Sequence, residues 1–104
     1  MLSDAELVRL AEAIREHRFI TVRYNRGLSM LAPYGTFTKR DELYLTAVTM
    51  ARDGVQPGKL KLGTFKVAGL SELQETPVPF SAPGLYAQVQ RHAPQERRLQ
   101  SLSR

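Results

Sequence analysis

The apolar residues at the start of the chain recur with helical spacing. One stripe contains Leu7, Leu10, Ala11 and Ile14, and charged residues fill the other side. Ser3 is followed three residues later by Glu6, the capping-box arrangement in which two side chains satisfy two otherwise unpaired backbone N–H groups. The pattern predicts a helix that begins after Ser3. Because the stripe is narrow, we expect it to pack on the rest of the domain rather than to bind a partner.

Beyond residue 18 the pattern changes to that of β-strands. Aromatic and β-branched residues at 19–24 predict a first strand, and Asn-Arg-Gly at 25–27 provides the left-handed backbone that a hairpin turn needs. A return strand is expected over 28–38. Pro33 cannot donate to a ladder and Gly35 favours a bulge, so this strand should bend and the sheet should curl.

The next segments continue the β pattern after a four-residue charged turn at 39–42. Residues 43–50 carry apolar groups on both faces, which is typical of a central, buried strand. An exposed loop at 51–58 precedes alternating apolar and cationic residues at 59–65, and residues 67–70 are expected to complete the sheet. The pattern predicts an α+β, mainly β fold, with the N-terminal helix packed on a small antiparallel β-barrel.

The composition changes again after Phe80. Ser81, Pro83 and Gly84 form a hinge, and residues 91–104 are polar and basic. The segments 85–90 and 95–102 have helical potential, but isolated helices of this length rarely hold in water. We therefore predict a domain of helix and barrel at 1–80, followed by a basic tail at 81–104 that is disordered or folds on a partner.

Composition limits the chemistry that the chain can perform. It has 104 residues, enough for one core, and no cysteine, which excludes disulfides and thiolate metal sites. Neither of the two histidines has a second ligand at metal or triad spacing, and no phosphate-binding glycine motif is present. We expect no enzymatic activity, no cofactor and no metal. The N-terminus lacks a signal-peptide pattern and no apolar run reaches bilayer length, so we expect a cytoplasmic protein without membrane association.

The net charge of +5 is unevenly distributed. Residues 1–17 carry a net charge of −2, whereas residues 18–68 hold nine Lys and Arg against three acids, a net charge of +6. Aromatic residues are interleaved with these cations, a mixture in which cations track phosphates and rings stack bases. The predicted ligand-binding residues are Arg23, Arg26, Tyr34, Lys39, Arg40, Tyr44, Lys59, Lys61 and Lys66. Ordinary alternation on a half-buried sheet is the alternative explanation for each of them.

The order of these motifs resembles the WYL domain. The bend Ala32-Pro33-Tyr34-Gly35, the strand motif Leu43-Tyr44-Leu45 and the sequence LKLGTF at 60–65 occupy the matching places, and the resemblance covers residues 7–80. It implies a small Sm-like or SH3-like barrel of the kind found in bacterial transcriptional regulators. Such domains sense a ligand, often nucleic acid or a nucleotide, through basic and aromatic residues.

The chain departs from the family pattern at two motif positions. Leu43 replaces the motif tryptophan, and Gly63-Thr64 stands where the family usually has Asp-Arg, so the ligand-facing arginine is absent. Lys61 or Lys66 is the candidate replacement, as a point charge without the guanidinium fork. Family members usually follow a helix-turn-helix, whereas only about twenty residues precede the first strand here. We therefore expect a stand-alone module.

Two functions remain open from the sequence. The first is a WYL-like regulatory module that binds single-stranded nucleic acid or a nucleotide through the basic, aromatic face of the barrel. The second is a barrel for protein interaction that has lost ligand sensing and uses its exposed strand edges and its tail to form a homo-oligomer or to bind a regulatory protein.

Overall fold

A computed structural model describes residues 1–92 and shows two helices flanking five strands. In chain order the elements are α1 (Asp4–Glu16), β1 (Arg18–Tyr24), β2 (Gly27–Lys39), β3 (Glu42–Arg52), β4 (Leu62–Lys66), a 3-10 turn (Val67–Gly69), β5 (Leu70–Pro79) and α2 (Ala82–His92). The predicted α+β, mainly β class is confirmed. Neither α1 nor α2 is long and apolar enough to cross a membrane.

Helix α1 begins where the capping box predicts. The Oγ atom of Ser3 accepts from the Glu6 backbone N–H at 3.1 Å, and Oε1 of Glu6 accepts from the Ser3 backbone N–H at 2.8 Å. Leu10 and Ala13 are the buried residues of the helix, whereas Ala11, which we placed in the apolar stripe, is exposed. The buried face is thus slightly rotated from the predicted one.

A single carboxylate joins α1 to the sheet. The second carboxylate oxygen of Glu6, Oε2, accepts from the Leu73 backbone N–H in β5 at 2.8 Å. Hydrogen bonds from the backbone N–H groups of Ser3 and Leu73 hold the pKa of Glu6 below its ordinary value. Glu6 therefore caps its own helix and fixes that helix against the sheet.

The five strands form one antiparallel sheet in the order β4-β3-β2-β1-β5. The predicted bend in β2 is confirmed: Pro33 pairs with Ala47 and Gly35 with Thr46, so Tyr34 is the extra residue of a bulge. β4 begins at residue 62 rather than 59, and β5 extends for ten residues where only a short completing strand was predicted.

The sheet is curled but not closed. β4 and β5 form its two edges and do not pair with each other, so a complete Sm-like or SH3-like barrel is not confirmed. The rings of Tyr24 on β1 and Phe65 on β4 nevertheless meet edge to face, with centroids 5.3 Å apart. A flat sheet would hold these two strands about 14 Å apart. The curl therefore brings β1 and β4 together on its inner face.

Each face of the sheet packs against one helix. On the inner face, the side that α1 covers, the core includes Leu10, Ala13, Ile20, Val22, Leu31, Leu45, Leu70 and Leu73. On the outer face, the side that α2 covers, a smaller cluster contains Ala32, Val48, Leu85 and Val89. Phe19, Tyr34, Met50, Leu60 and Phe80 pack around this second cluster.

The expectation of disorder from residue 81 onwards is wrong for residues 82–92, which form α2. Ser81 caps this helix by accepting from the Gly84 backbone N–H at 3.1 Å, and Leu85 and Val89 are buried against the outer face. The Tyr34 hydroxyl donates to the Ala82 carbonyl at 2.7 Å. Tertiary packing supplies the stability that an isolated helix lacks. The second segment with helical potential, at 95–102, lies outside the described residues, as does the rest of the basic tail from residue 93.

Replacing Glu6 by glutamine should destabilise the fold at neutral pH, because one oxygen acceptor and no charge remain for two N–H donors. The pKa of Glu6 is lower in the folded chain than its ordinary value of 4.5, so its stabilising effect is complete above that pH and is lost as the pH falls through the folded-state pKa. Urea denaturation should show a lower midpoint for Glu6→Gln at pH 7 and a smaller difference near pH 3. Glu12→Gln, on the same helix, is the control, and a difference independent of pH would contradict this role.

Leu85→Ala should lower the free energy of unfolding by about 2–3 kcal/mol, because a buried leucine leaves a cavity in a small cluster. Gln88→Ala, on the exposed side of α2, should change it by less than about 0.5 kcal/mol. Chemical denaturation of both variants measures the difference. Equal stability of the two would show that α2 does not hold the outer face.

Candidate nucleic-acid interface

Two aromatic rings and a lysine form a row across three neighbouring strands. The register pairs Phe37 of β2 with Tyr44 of β3, and Tyr44 with Lys66 of β4. Residues directly opposite each other in antiparallel strands share a face, and Tyr44 shares its face of β3 with Val48. The row therefore lies on the outer face of the sheet, beyond the part that α2 covers.

The two rings stack on each other and leave ring surface open. Their centroids are 5.4 Å apart and their planes differ by 15°. Phe37 is 42% exposed, because β1 pairs with β2 only as far as Leu31 and no described strand lies on the other side of Phe37. A planar group such as a nucleobase has access to this ring from the open side.

The turn between β2 and β3 places two cations next to the ring row along the chain. Arg40 and Asp41 both adopt left-handed backbone conformations, with φ of 54° and 65°, which is the geometry of a two-residue type I′ hairpin. Lys39 precedes this turn and lies two residues from Phe37 along β2. The name aromatic-basic face is used below for Phe37, Lys39, Arg40, Tyr44 and Lys66.

Glu42 forms two contacts within the aromatic-basic face. Its Oε2 atom lies 2.9 Å from Nζ of Lys66 and accepts a hydrogen bond from the Tyr44 hydroxyl at 3.2 Å. The Lys66 ammonium holds the pKa of Glu42 below its ordinary value, with a smaller contribution from Tyr44, and Glu42 raises the pKa of Lys66. Both groups are charged at neutral pH, and Glu42 occupies the position where an anionic ligand would contact Lys66.

Two of the predicted arginines, Arg23 and Arg26, lie elsewhere. Nε of Arg23 contacts Oε2 of Glu72 at 2.7 Å, so its charge is compensated across β1 and β5. Arg26 is in the β1–β2 turn, at the opposite end of the thirteen-residue β2 from Arg40. That strand is roughly 40 Å long. These two arginines cannot contact the same nucleotide as the aromatic-basic face.

The remaining predicted residues also lie outside the aromatic-basic face. Tyr34 packs beneath α2, where burial raises the pKa of its phenol against an opposing hydrogen bond from the Tyr86 backbone N–H. Lys59 and Lys61 flank Leu60 before β4, and the nearer of the two, Lys61, is five residues, or about 16 Å of extended chain, from Lys66. The structure brings together only Lys39, Arg40, Tyr44 and Lys66 of the predicted set.

Comparisons with protein-family models, curated proteins and solved structures found no match. The geometry of the aromatic-basic face is therefore the basis for a functional proposal.

Phe37 is the residue that the predicted site omitted. The sequence contains a signal for it, since a two-residue turn at Arg40-Asp41 pairs Lys39 with Glu42 and places Phe37 opposite Tyr44. The predicted four-residue turn at 39–42 excludes the pair of Lys39 and Glu42, and it therefore does not determine which residue of β3 lies opposite Phe37. Together the face offers stacking, hydrogen bonding and ionic contacts, the three interactions by which proteins hold unpaired nucleotides.

Proposed function

We propose that the chain is a non-enzymatic, WYL-like regulatory module that binds single-stranded nucleic acid on its aromatic-basic face. The observation that supports this is the exposed ring of Phe37, stacked on the half-buried ring of Tyr44, with Lys66 in the same row and Lys39 and Arg40 next along the chain. Proteins that bind single strands combine aromatic stacking platforms with basic surface, and each stacked base contributes about 1–3 kcal/mol. In this proposal the curled sheet is an open form of the Sm-like or SH3-like barrel, and the module acts in the cytoplasm.

Single strands fit this face better than duplexes do. A base presents its flat surface to a ring only when it is unpaired and unstacked, whereas duplex readout needs an element that enters a groove. The two rings lie where the sheet is three strands wide, since Tyr44 pairs with Phe37 on one side and with Lys66 on the other, whereas a major groove admits a helix or a two-stranded ribbon. Three cations, Lys39, Arg40 and Lys66, stand against Asp41 and Glu42, so the local net charge is +1. Binding should therefore be weak and sensitive to salt.

Phe37→Leu should weaken binding of a fluorescently labelled single-stranded oligonucleotide by about fivefold or more, since a stacking partner worth about 1–3 kcal/mol is lost. Tyr86→Leu is the matched control, because Tyr86 is 44% exposed but lies on α2. Fluorescence anisotropy at low salt measures both affinities. Absence of binding by the unmodified chain, or an equal loss in the two variants, would contradict the proposal.

Glu42→Gln should strengthen oligonucleotide binding at low salt, because it releases Lys66 and removes one negative charge, which raises the local net charge from +1 to +2. If Lys66 then contacts a phosphate, the slope of log K against log salt should steepen by about 0.7. Glu72→Gln is the control, since it releases Arg23 from a comparable exposed ion pair away from the face. Equal gains in both variants would indicate a general charge effect rather than a site at Lys66.

A further inference from the structure

We propose that the chain forms a symmetric dimer through the free edge of β2 at residues 35–39. β2 pairs with β3 over residues 29–39 but with β1 only over residues 27–31. Among residues 1–92, no strand pairs with the other side of residues 35–39, four of which are exposed. Unpaired backbone groups along such an edge are a template for another strand.

The other two edges of the sheet are less suited to pairing. In β5, Pro77 and Pro79 have no backbone N–H, and Glu72 adopts a left-handed conformation with φ of 51° beside a register shift. Prolines and bulges of this kind protect edge strands. The five residues of β4 are centred on the exposed, polar Thr64, whereas the β2 segment is centred on an exposed phenylalanine.

The β2 segment is complementary to itself. An antiparallel register that pairs all five residues is centred on Phe37, so Phe37 faces Phe37 of the second copy and Thr36 faces Thr38. Lys39 then faces Gly35, and no like charges oppose each other. This arrangement continues the stack of Phe37 and Tyr44 into four rings across a six-stranded surface, and cross-strand aromatic pairs stabilise sheets.

An apolar groove lies beside the same edge. It has a volume of about 330 Å³ and is lined by Leu7, Leu10, Ala11, Ile14, Thr36 and Leu43. Thr36 shares the inner face with the buried Leu45, its partner in β3. In the proposed register Thr38 of the second copy lies next to Thr36 on this face. Pairing therefore covers apolar surface between α1 and the sheet, in addition to satisfying backbone groups.

The natural chain contains no cysteine, so single cysteine variants report the geometry directly. Phe37→Cys should give a disulfide-linked dimer on mild oxidation, because opposed Cβ atoms at the centre of the register lie about 4.5–5.5 Å apart, close to the disulfide range. Leu62→Cys on β4 and Val78→Cys on β5, which are 41% and 52% exposed at the natural residues, should remain monomeric. Thr36→Cys tests the register and should cross-link less than Phe37→Cys, because Thr36 faces Thr38 of the second copy and the two copies of residue 36 are two positions apart along the strands. Equal cross-linking at all these positions would overturn the proposal.

Sedimentation of the full chain without cysteine gives an independent measurement that does not depend on nucleic-acid binding. The unmodified chain should show a dimer that dissociates on dilution, and Phe37→Lys should shift it to monomer by opposing two charges at the centre. Leu62→Lys should leave the dimer unchanged, with circular dichroism confirming that each variant is folded. A monomer at every concentration, or dissociation caused by Leu62→Lys rather than Phe37→Lys, would overturn the proposal even if oligonucleotide binding were found.

Discussion

The bend in β2 is the constraint on which the rest of the structure depends. Before the bend β2 pairs with β1, and beyond it only β3 remains as a partner. Ordinary alternation from Ala32 places Tyr34 on the outer face, where its hydroxyl holds the first turn of α2. The bulge shifts the alternation beyond Tyr34, so that Phe37 also lies on the outer face. One irregularity therefore bends the sheet, brings Phe37 to the outer face and precedes the segment of β2 that has no second neighbouring strand. Pro33, buried at the bend, removes the backbone donor that a straight strand would use.

Features determined by neighbouring residues were predictable from the sequence, whereas those determined by packing were not. The capping box of Ser3 and Glu6 and the bend at Pro33 and Gly35 depend on local backbone chemistry, and both are present. The sequence pattern predicts disorder, or folding on a partner, where α2 forms, because the stability of this helix comes from burying Leu85 and Val89 on distant strands. The length of β5 is also missed by the sequence pattern. Its prolines and acidic residues interrupt the alternation of apolar and polar positions, and the strand forms through its pairing with β1.

The charge map of the sequence overstates the basic surface that the folded chain presents. The segment 18–68 carries a net charge of +6, but three of its cations have acidic partners in the structure. Arg18 and Arg23 contact Glu16 and Glu72, which lie outside that segment, so no count along the segment reveals the compensation. Exposed pairs of this kind add little to stability. Their larger effect is on the proposed binding, in which a ligand phosphate would compete with a carboxylate already in place.

The two proposed uses of the outer face meet at Phe37. A base that stacks on the open side of its ring and a second copy that pairs along β2 need the same space, since Tyr44 already covers the opposite side. Two ligands that need one surface exclude each other, and each lowers the apparent affinity of the other by mass action. Self-association would then set the concentration range over which the ring is available. The free edge left by the bend would in this way couple the oligomeric state of the chain to its occupancy by nucleic acid.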